Sequence, residues 1–290
     1  MLFDPGIIDA IRNVLPGLGD FFLLVTQLGS DLFYIVLLLV GYWAFNKRES
    51  IILTYVLIVS ILSNYWLKVI IATERPPTSY WFLGADAPNY STPSGHSQLS
   101  ASLYGWVAVR IKTWWMALLA FVLTFLIGIS RIYLGVHYLG DVLIGWGLGI
   151  LIVIVFYRLE KPAREFFSQY KFEHLLLSVF FIGLLMTLVA ALIPPPPNDN
   201  FGALGGLTMG LALGLALENR FVGFSVEAPN GQKWRLVLRV VIGLTLVIGV
   251  MIGLSPILPS EDLLLRTARY FLTAMTGIFV WPLIFKKVNL

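Results

Sequence analysis

Residues 113–157, TWWMALLAFVLTFLIGISRIYLGVHYLGDVLIGWGLGILIVIVFY, set the architecture. Two apolar runs, 113–131 and 138–157, each approach the roughly 17 to 25 residues that a helix needs to cross a hydrocarbon core of about 30 Å. Between them stands a short turn region carrying Arg131, His137 and Asp141. Ionisable groups at such a depth cost about 3 kcal/mol or more and are retained for a partner or a task. Lipid offers no partner to a sheet edge, so the crossing elements are helices.

Seven more segments of the same character lie outside this pair, at 30–46, 50–71, 95–111, 174–193, 203–217, 236–257 and 264–285. The chain therefore reads as all-α, a polytopic membrane helix bundle of about nine transmembrane helices. Composition agrees: of 290 residues 58% are hydrophobic and only 12% charged, about half the usual charged share. A soluble globular domain is excluded. The absence of cysteine rules out a disulfide framework, a thiolate metal site and a cysteine nucleophile. A net charge of +4 is too small to imply nucleic acid as a partner.

The apolar stretch Ile7 to Leu28 is interrupted by Asp9, Arg12, Pro16 and Asp20. It reads as an amphipathic segment, 1–29, lying in the interface. Four regions follow from this: the interfacial segment, a core at 30–157 that holds the polar chemistry, a basic cytoplasmic linker at 158–173 (RLEKPAREFFSQYKFE), and a four-helix membrane extension at 174–290. Alternating the sides of nine crossings puts 14 of the 20 Lys and Arg residues on the side reached by Lys47 and Arg48. By the positive-inside rule that side is cytoplasmic. Lys68, Arg75 and Arg131 fall on the opposite, extracytoplasmic side.

Those three cations keep unusual company. Lys68 and Arg75 are seven residues apart, about two helical turns, and share a face until Pro76 and Pro77 end the helix. Ser94 is placed to cap the helix that begins at Gly95 and His96. His137 and Asp141, four apart, are neighbours on one helical face. Each position taken alone has an ordinary reading: a snorkelling anchor for Lys68, Arg75 or Arg131, a cap for Ser94, an acid complementing the helix dipole for Asp141. Together they converge on one side of the bilayer. Three cations and the free N–H groups of a helix start suit a compact dianion, and a phosphate fits best. A carboxylate beside His137 fixes its tautomer and leaves the other ring nitrogen to attack phosphorus. His96 is then available as the proton donor. No set of residues has metal-ligand spacing, so the expected chemistry needs no metal or cofactor.

The combination Lys68-x6-Arg75-Pro76, Pro93-Ser94-Gly95-His96 and Ser130-Arg131-x5-His137-x3-Asp141 resembles the three signature motifs of the type 2 phosphatidic acid phosphatase superfamily, over roughly residues 30–157. The resemblance implies an integral membrane lipid phosphatase acting through a phosphohistidine. On it, His137 is the nucleophile, Asp141 its partner and His96 the acid and base, while Lys68, Arg75, Ser94, Gly95 and Arg131 hold the phosphate. The partners expected are a phosphorylated membrane lipid and the bilayer itself, with the site at the extracytoplasmic or luminal face and the plasma (inner) membrane as location. A phosphotransferase using the same site is the alternative reading; a non-enzymatic anion transporter would not need the histidine pair.

Two further features remain. Tyr80, Trp81 and Phe82, in the loop 78–92, either anchor that loop among lipid headgroups or flank an entry for the substrate's chain. Gly206, Gly210 and Gly214, joined by Gly249 and Gly253 on the next helix, allow close backbone approach. Packing within the chain is one use of that stripe, and a homo-oligomer contact is the other.

Overall fold

The computed structural model describes residues 2–192 and 201–290, and every regular element among them is helical. In chain order the helices are α1 (Gly6–Val14), α2 (Gly19–Gln27), α3 (Asp31–Ala44), α4 (Lys47–Ile71), α5 (Gly95–Ile111), α6 (Trp114–Tyr133), α7 (Leu139–Phe167), α8 (Phe172–Leu192), α9 (Phe201–Leu217), α10 (Lys233–Gly253), α11 (Leu263–Met275) and α12 (Trp281–Lys287). Residue 193, the end of one expected segment, lies outside the described residues.

All nine apolar segments fold as helices over their described residues, and six or seven of them qualify as candidate spans by length and composition, so the count of nine is not confirmed. Six helices among the described residues are long and apolar enough to cross: α4, α6, α7, α8, α10 and the run Leu263–Lys287. A seventh is reached if α2 and α3, bent by 42° at their junction, form one broken span. The two that fall short, α5 and α9, have 17 residues each, or about 26 Å at the helical rise. Both are interior helices rather than lipid-facing ones. Along α5 the residues Ser97 to Tyr104 are buried. Its polar side chains meet those of α4: Gln98 Nε2 donates to Ser60 O and Ser63 Oγ, each at 2.9 Å, and Asn64 Nδ2 donates to Gln98 Oε1 at 2.9 Å. Such satisfaction is what makes a polar helix tolerable in a low-dielectric interior.

The chain forms two compact units. The first comprises residues 2–35 and 52–160 and holds every residue discussed above as a candidate for chemistry. The second comprises residues 36–51, 161–192 and 201–290 of the described chain, so the tip of the α3–α4 hairpin groups with the C-terminal helices rather than with the rest of 30–157.

In the first unit the N-terminal segment is more than an interfacial float. Ile8 of α1 is buried against Ile132 and Val142, with Ile7, Ile11 and Tyr80 around them. Arg12 donates to Tyr133 O at 2.9 Å and to Tyr80 O at 2.6 Å. The interruptions at Asp9, Arg12, Pro16 and Asp20 break the apolar run into two short helices that wrap the core. In the basic stretch 158–173, α7 runs on through Pro162 to Phe167, and residues 168–171 separate it from α8.

In the second unit the glycine stripe is used within the chain. A Cβ on Gly210 would stand 2.8 Å from the Ala274 Cβ, one on Gly214 3.0 Å from Ile278, and one on Gly206 would strike the Thr267 carbonyl. The stripe thus seats α9 on α11 and the π turn that follows it at Thr276–Val280. Gly249 and Gly253, expected to join it, face open space.

Candidate active site

Motif by motif, the first unit brings the expected side chains together. Lys68 ends α4 with its ammonium turned inward, 5% exposed, donating to Tyr90 O and, at 3.2 Å, to Ser91 O. Arg75, past the end of that helix, donates through Nε to Asn89 O at 2.8 Å and through Nη2 to Pro88 O at 2.7 Å. The two cations therefore gather the carbonyls of residues 88–91 and set the course of the loop that enters α5. Ser94 caps α5 as its sequence position implies, accepting from Ser97 N–H at 3.4 Å and Ser97 Oγ–H at 3.0 Å. Its own N–H donates to Asp141 O at 3.0 Å, which ties the start of α5 to the start of α7.

At the centre is His137, 2% exposed. Nδ1 lies 3.1 Å from Asp141 Oδ2, and Nε2 lies 3.0 Å from Arg75 Nη1. A guanidinium N–H can only donate. Nε2 must then be the acceptor and carry no proton, while Nδ1–H donates to the carboxylate. Geometry alone defines a neutral imidazole with its lone pair on Nε2. Burial, followed by the charges of Arg75, Lys68 and Arg131, pushes the His137 pKa well below 6.5, in the same direction. Burial also lowers Arg75, to about 10, against the pull of Asp141 and Asp86. It stays a cation at neutral pH.

Asp141 is wholly buried and its carboxylate is saturated. Oδ2 accepts from Ser91 Oγ–H at 2.5 Å and from Tyr138 N–H at 2.9 Å, and Oδ1 accepts from Thr92 Oγ–H at 2.5 Å. Ser91 and Thr92 are invisible to motif reading, because a hydroxyl in a loop carries no spacing signal of its own. Their adjacency to the Ser94-Gly95-His96 turn was the only cue.

Arg131, at the end of α6, is 5% exposed and donates through Nη1 to Thr26 Oγ1 at 2.8 Å; its Nε is buried without a partner. His96, in the first turn of α5, is half-buried and within electrostatic reach of Arg131, His137, Arg75 and Lys68. A Cβ on Gly29, in the α2–α3 junction, would come to 3.2 Å of the His96 ring. Gly95 opens the helix, and a Cβ there would meet Asn64 Oδ1 at 3.4 Å. The turn between α6 and α7 depends on Gly135: its φ is +77°, and a Cβ would run into the Tyr80 carbonyl.

The aromatic loop residues make contacts of their own. Tyr80 packs on the Ile8, Ile132 and Val142 cluster, Trp81 Nε1 donates to Pro76 O at 2.9 Å, and the Phe82 ring lies against Gly19. All three are half-buried, and Leu83 next to them is the exposed residue. Among the described residues no cluster of three or more His, Asp or Glu could hold a metal ion.

Two family models match the chain. The PAP2 superfamily model covers residues 49–165, which contain all three motifs, and the model of a transmembrane extension of PAP2 superfamily phosphatases covers 202–290. The chain belongs to the PAP2 superfamily. Among curated relatives, phosphatidylglycerophosphatase B of Bacillus subtilis is 28% identical over 164 residues, covering 52% of this chain and 79% of that one. Sphingosine-1-phosphate phosphatase 1 of Mus musculus is 30% identical over 180 residues, covering 55% of this chain and 40% of the mouse protein. The crystal structure of a transmembrane PAP2 type phosphatidylglycerolphosphate phosphatase from Bacillus subtilis superposes with a TM-score of 0.47 at 27% identity, covering 54% of this chain and 86% of that one. This PAP2 protein is an integral membrane phosphoric ester hydrolase.

Proposed function

We propose that the protein removes a terminal phosphate from a lipid phosphomonoester or diphosphate by way of a phosphohistidine at His137, at the extracytoplasmic face. The observation that carries the reading is the pair of contacts on one imidazole: a carboxylate on Nδ1 and a cation on the Nε2 lone pair. The carboxylate orients the nucleophile, and the cation marks where an anion binds.

An incoming phosphate competes for the Arg75 N–H groups, which exchange a neutral nitrogen and backbone carbonyls for charged oxygens. Charge-assisted, bidentate bonds of this kind are about twice as strong as neutral ones. The exchange uncovers Nε2 opposite phosphorus. Attack forms the N–P bond as the P–O bond to the lipid breaks, and His96, protonated once the bound phosphate offsets the surrounding cations, gives its proton to the departing oxygen. The imidazole ring, now cationic, is stabilised by Asp141. Lys68, Arg75 and Arg131 spread over the equatorial oxygens, where charge is concentrated in the transition state. Neutral His96 then takes a proton from water as that water attacks phosphorus. The N–P bond breaks, its electrons return to Nε2, and inorganic phosphate leaves.

A lipid substrate is supported by the setting: the site sits among helices that cross the membrane, and the named relatives act on phosphorylated lipids. The headgroup reaches the cations while the chains stay in the bilayer. Purified wild-type protein is expected to release inorganic phosphate from dioctanoyl phosphatidate in detergent, and His137→Ala to release none above background. Wild-type turnover by His137→Ala refutes the proposal.

A further inference from the structure

The segment before residue 49 lies outside the matched PAP2 model, yet it reaches the candidate site. Thr26, in the last turn of α2, is 5% exposed, and its hydroxyl oxygen accepts from Arg131 Nη1 at 2.8 Å. The guanidinium is otherwise enclosed: its Nε is buried without a partner. A buried donor left open costs roughly 1 to 3 kcal/mol, more when charged, a cost that a phosphoryl oxygen bound beside the candidate site would remove. Other contacts hold α2 in register with this bond. Leu28 O, one residue past the helix, accepts from Tyr104 Oη–H at 2.9 Å, and Leu18 N–H donates to Tyr133 Oη at 3.1 Å, with Phe22 packed on the Tyr133 ring. Gly29 lets the chain pass against His96.

We infer that α2 forms a wall of the phosphate site and that Thr26 is a positioning residue, which clamps one arm of Arg131 so that the free Nε–H faces the phosphoryl oxygens. Thr26 touches no substrate atom. It acts by fixing a rotamer of a long side chain, whose freedom would otherwise have to be given up on each binding event. The inference rests on the phosphatase reading above.

The test uses orthovanadate as a phosphate analogue together with steady-state kinetics on dioctanoyl phosphatidate. Thr26→Val keeps the shape and deletes the acceptor; Thr26→Ser keeps the acceptor. Loss of a hydrogen bond to a charged group predicts that Thr26→Val raises both KM and the vanadate inhibition constant about tenfold, and that Thr26→Ser restores both to within about threefold. In an Arg131→Ala background, Thr26→Val should change vanadate affinity no further. A merely structural role would lower yield and melting temperature and scale kcat with the folded fraction, leaving KM and vanadate affinity at wild-type values; that result overturns the inference. So does full additivity in the Arg131→Ala background. If wild-type protein neither releases phosphate nor binds vanadate, the phosphatase reading itself has failed, which separates the two outcomes.

Discussion

Replacing Asp141 by Asn removes one charge and almost nothing else. Tyr138 N–H, Ser91 Oγ–H and His137 Nδ1–H all point at Oδ2, so the amide oxygen must take that position. The amide nitrogen then faces Thr92, whose hydroxyl can turn to accept. His137 keeps its tautomer, its orientation and a neutral acceptor. What is lost is the stabilisation of the ring once phosphorylation makes it cationic. At 3.1 Å, an effective dielectric of about 20 gives about 5 kcal/mol for the charge pair. A neutral acceptor retains about half of a charge-assisted bond, which leaves a loss of about 2.5 kcal/mol and a kcat lower by roughly 10²-fold. KM should change by less than about threefold, because Asp141 touches none of the phosphate oxygens in this scheme. Phosphate release from dioctanoyl phosphatidate measures both constants, and thermal unfolding in detergent verifies that the variant is folded. A kcat within threefold of wild type, or a loss confined to KM, would refute the role given to the carboxylate.

Acid should act on stability through His137. Its folded pKa is held well below 6.5 by burial and three cations, so below about pH 6.5 the unfolded imidazole binds a proton that the folded one does not. The contribution is complete above that pH and is lost as the pH falls through it; His137→Asn should flatten the dependence of melting temperature on pH between about 8 and 5, and an unchanged slope counts against a neutral imidazole. In the second unit, Gly210→Val forces a side chain into the Ala274 contact, which stands at 2.8 Å for a bare Cβ. Overpacking of this kind costs about 1 to 3 kcal/mol, visible as a lower midpoint in thermal unfolding, and an unshifted midpoint would contradict the α9–α11 packing.

Much of the site was legible because its residues are expensive. Taken singly, Lys68, Arg75, Arg131 and Asp141 each have an ordinary explanation; it was their convergence with His137 in three spaced motifs that made the candidate site legible. Hydroxyls have many ordinary explanations. Ser91, Thr92 and Thr26 could not be told from turn and helix residues until the carboxylate and guanidinium they serve were in view. The count of nine goes beyond the six or seven candidate spans for a related reason. Apolar length marks α5 and α9 as membrane helices, but length cannot distinguish an interior helix from a lipid-facing one. Ser97, Gln98, Ser100 and Ser102, all wholly buried, hinted at an interior position for α5. The N-terminal segment was judged by its interruptions, Asp9, Arg12, Pro16 and Asp20, which weigh against a straight crossing. They are equally compatible with short helices that pack on protein: Arg12 bonds to Tyr80 and Tyr133, while Asp9 and Asp20 stay exposed.

The covalent step is most directly tested by trapping it. Wild-type protein mixed with radiolabelled phosphatidate and quenched in base during turnover should carry a label that is stable to alkali, labile to acid and located at His137, and His137→Ala should carry none. Steady turnover with no label at any quench time, or a label that persists in His137→Ala, would contradict attack by this imidazole.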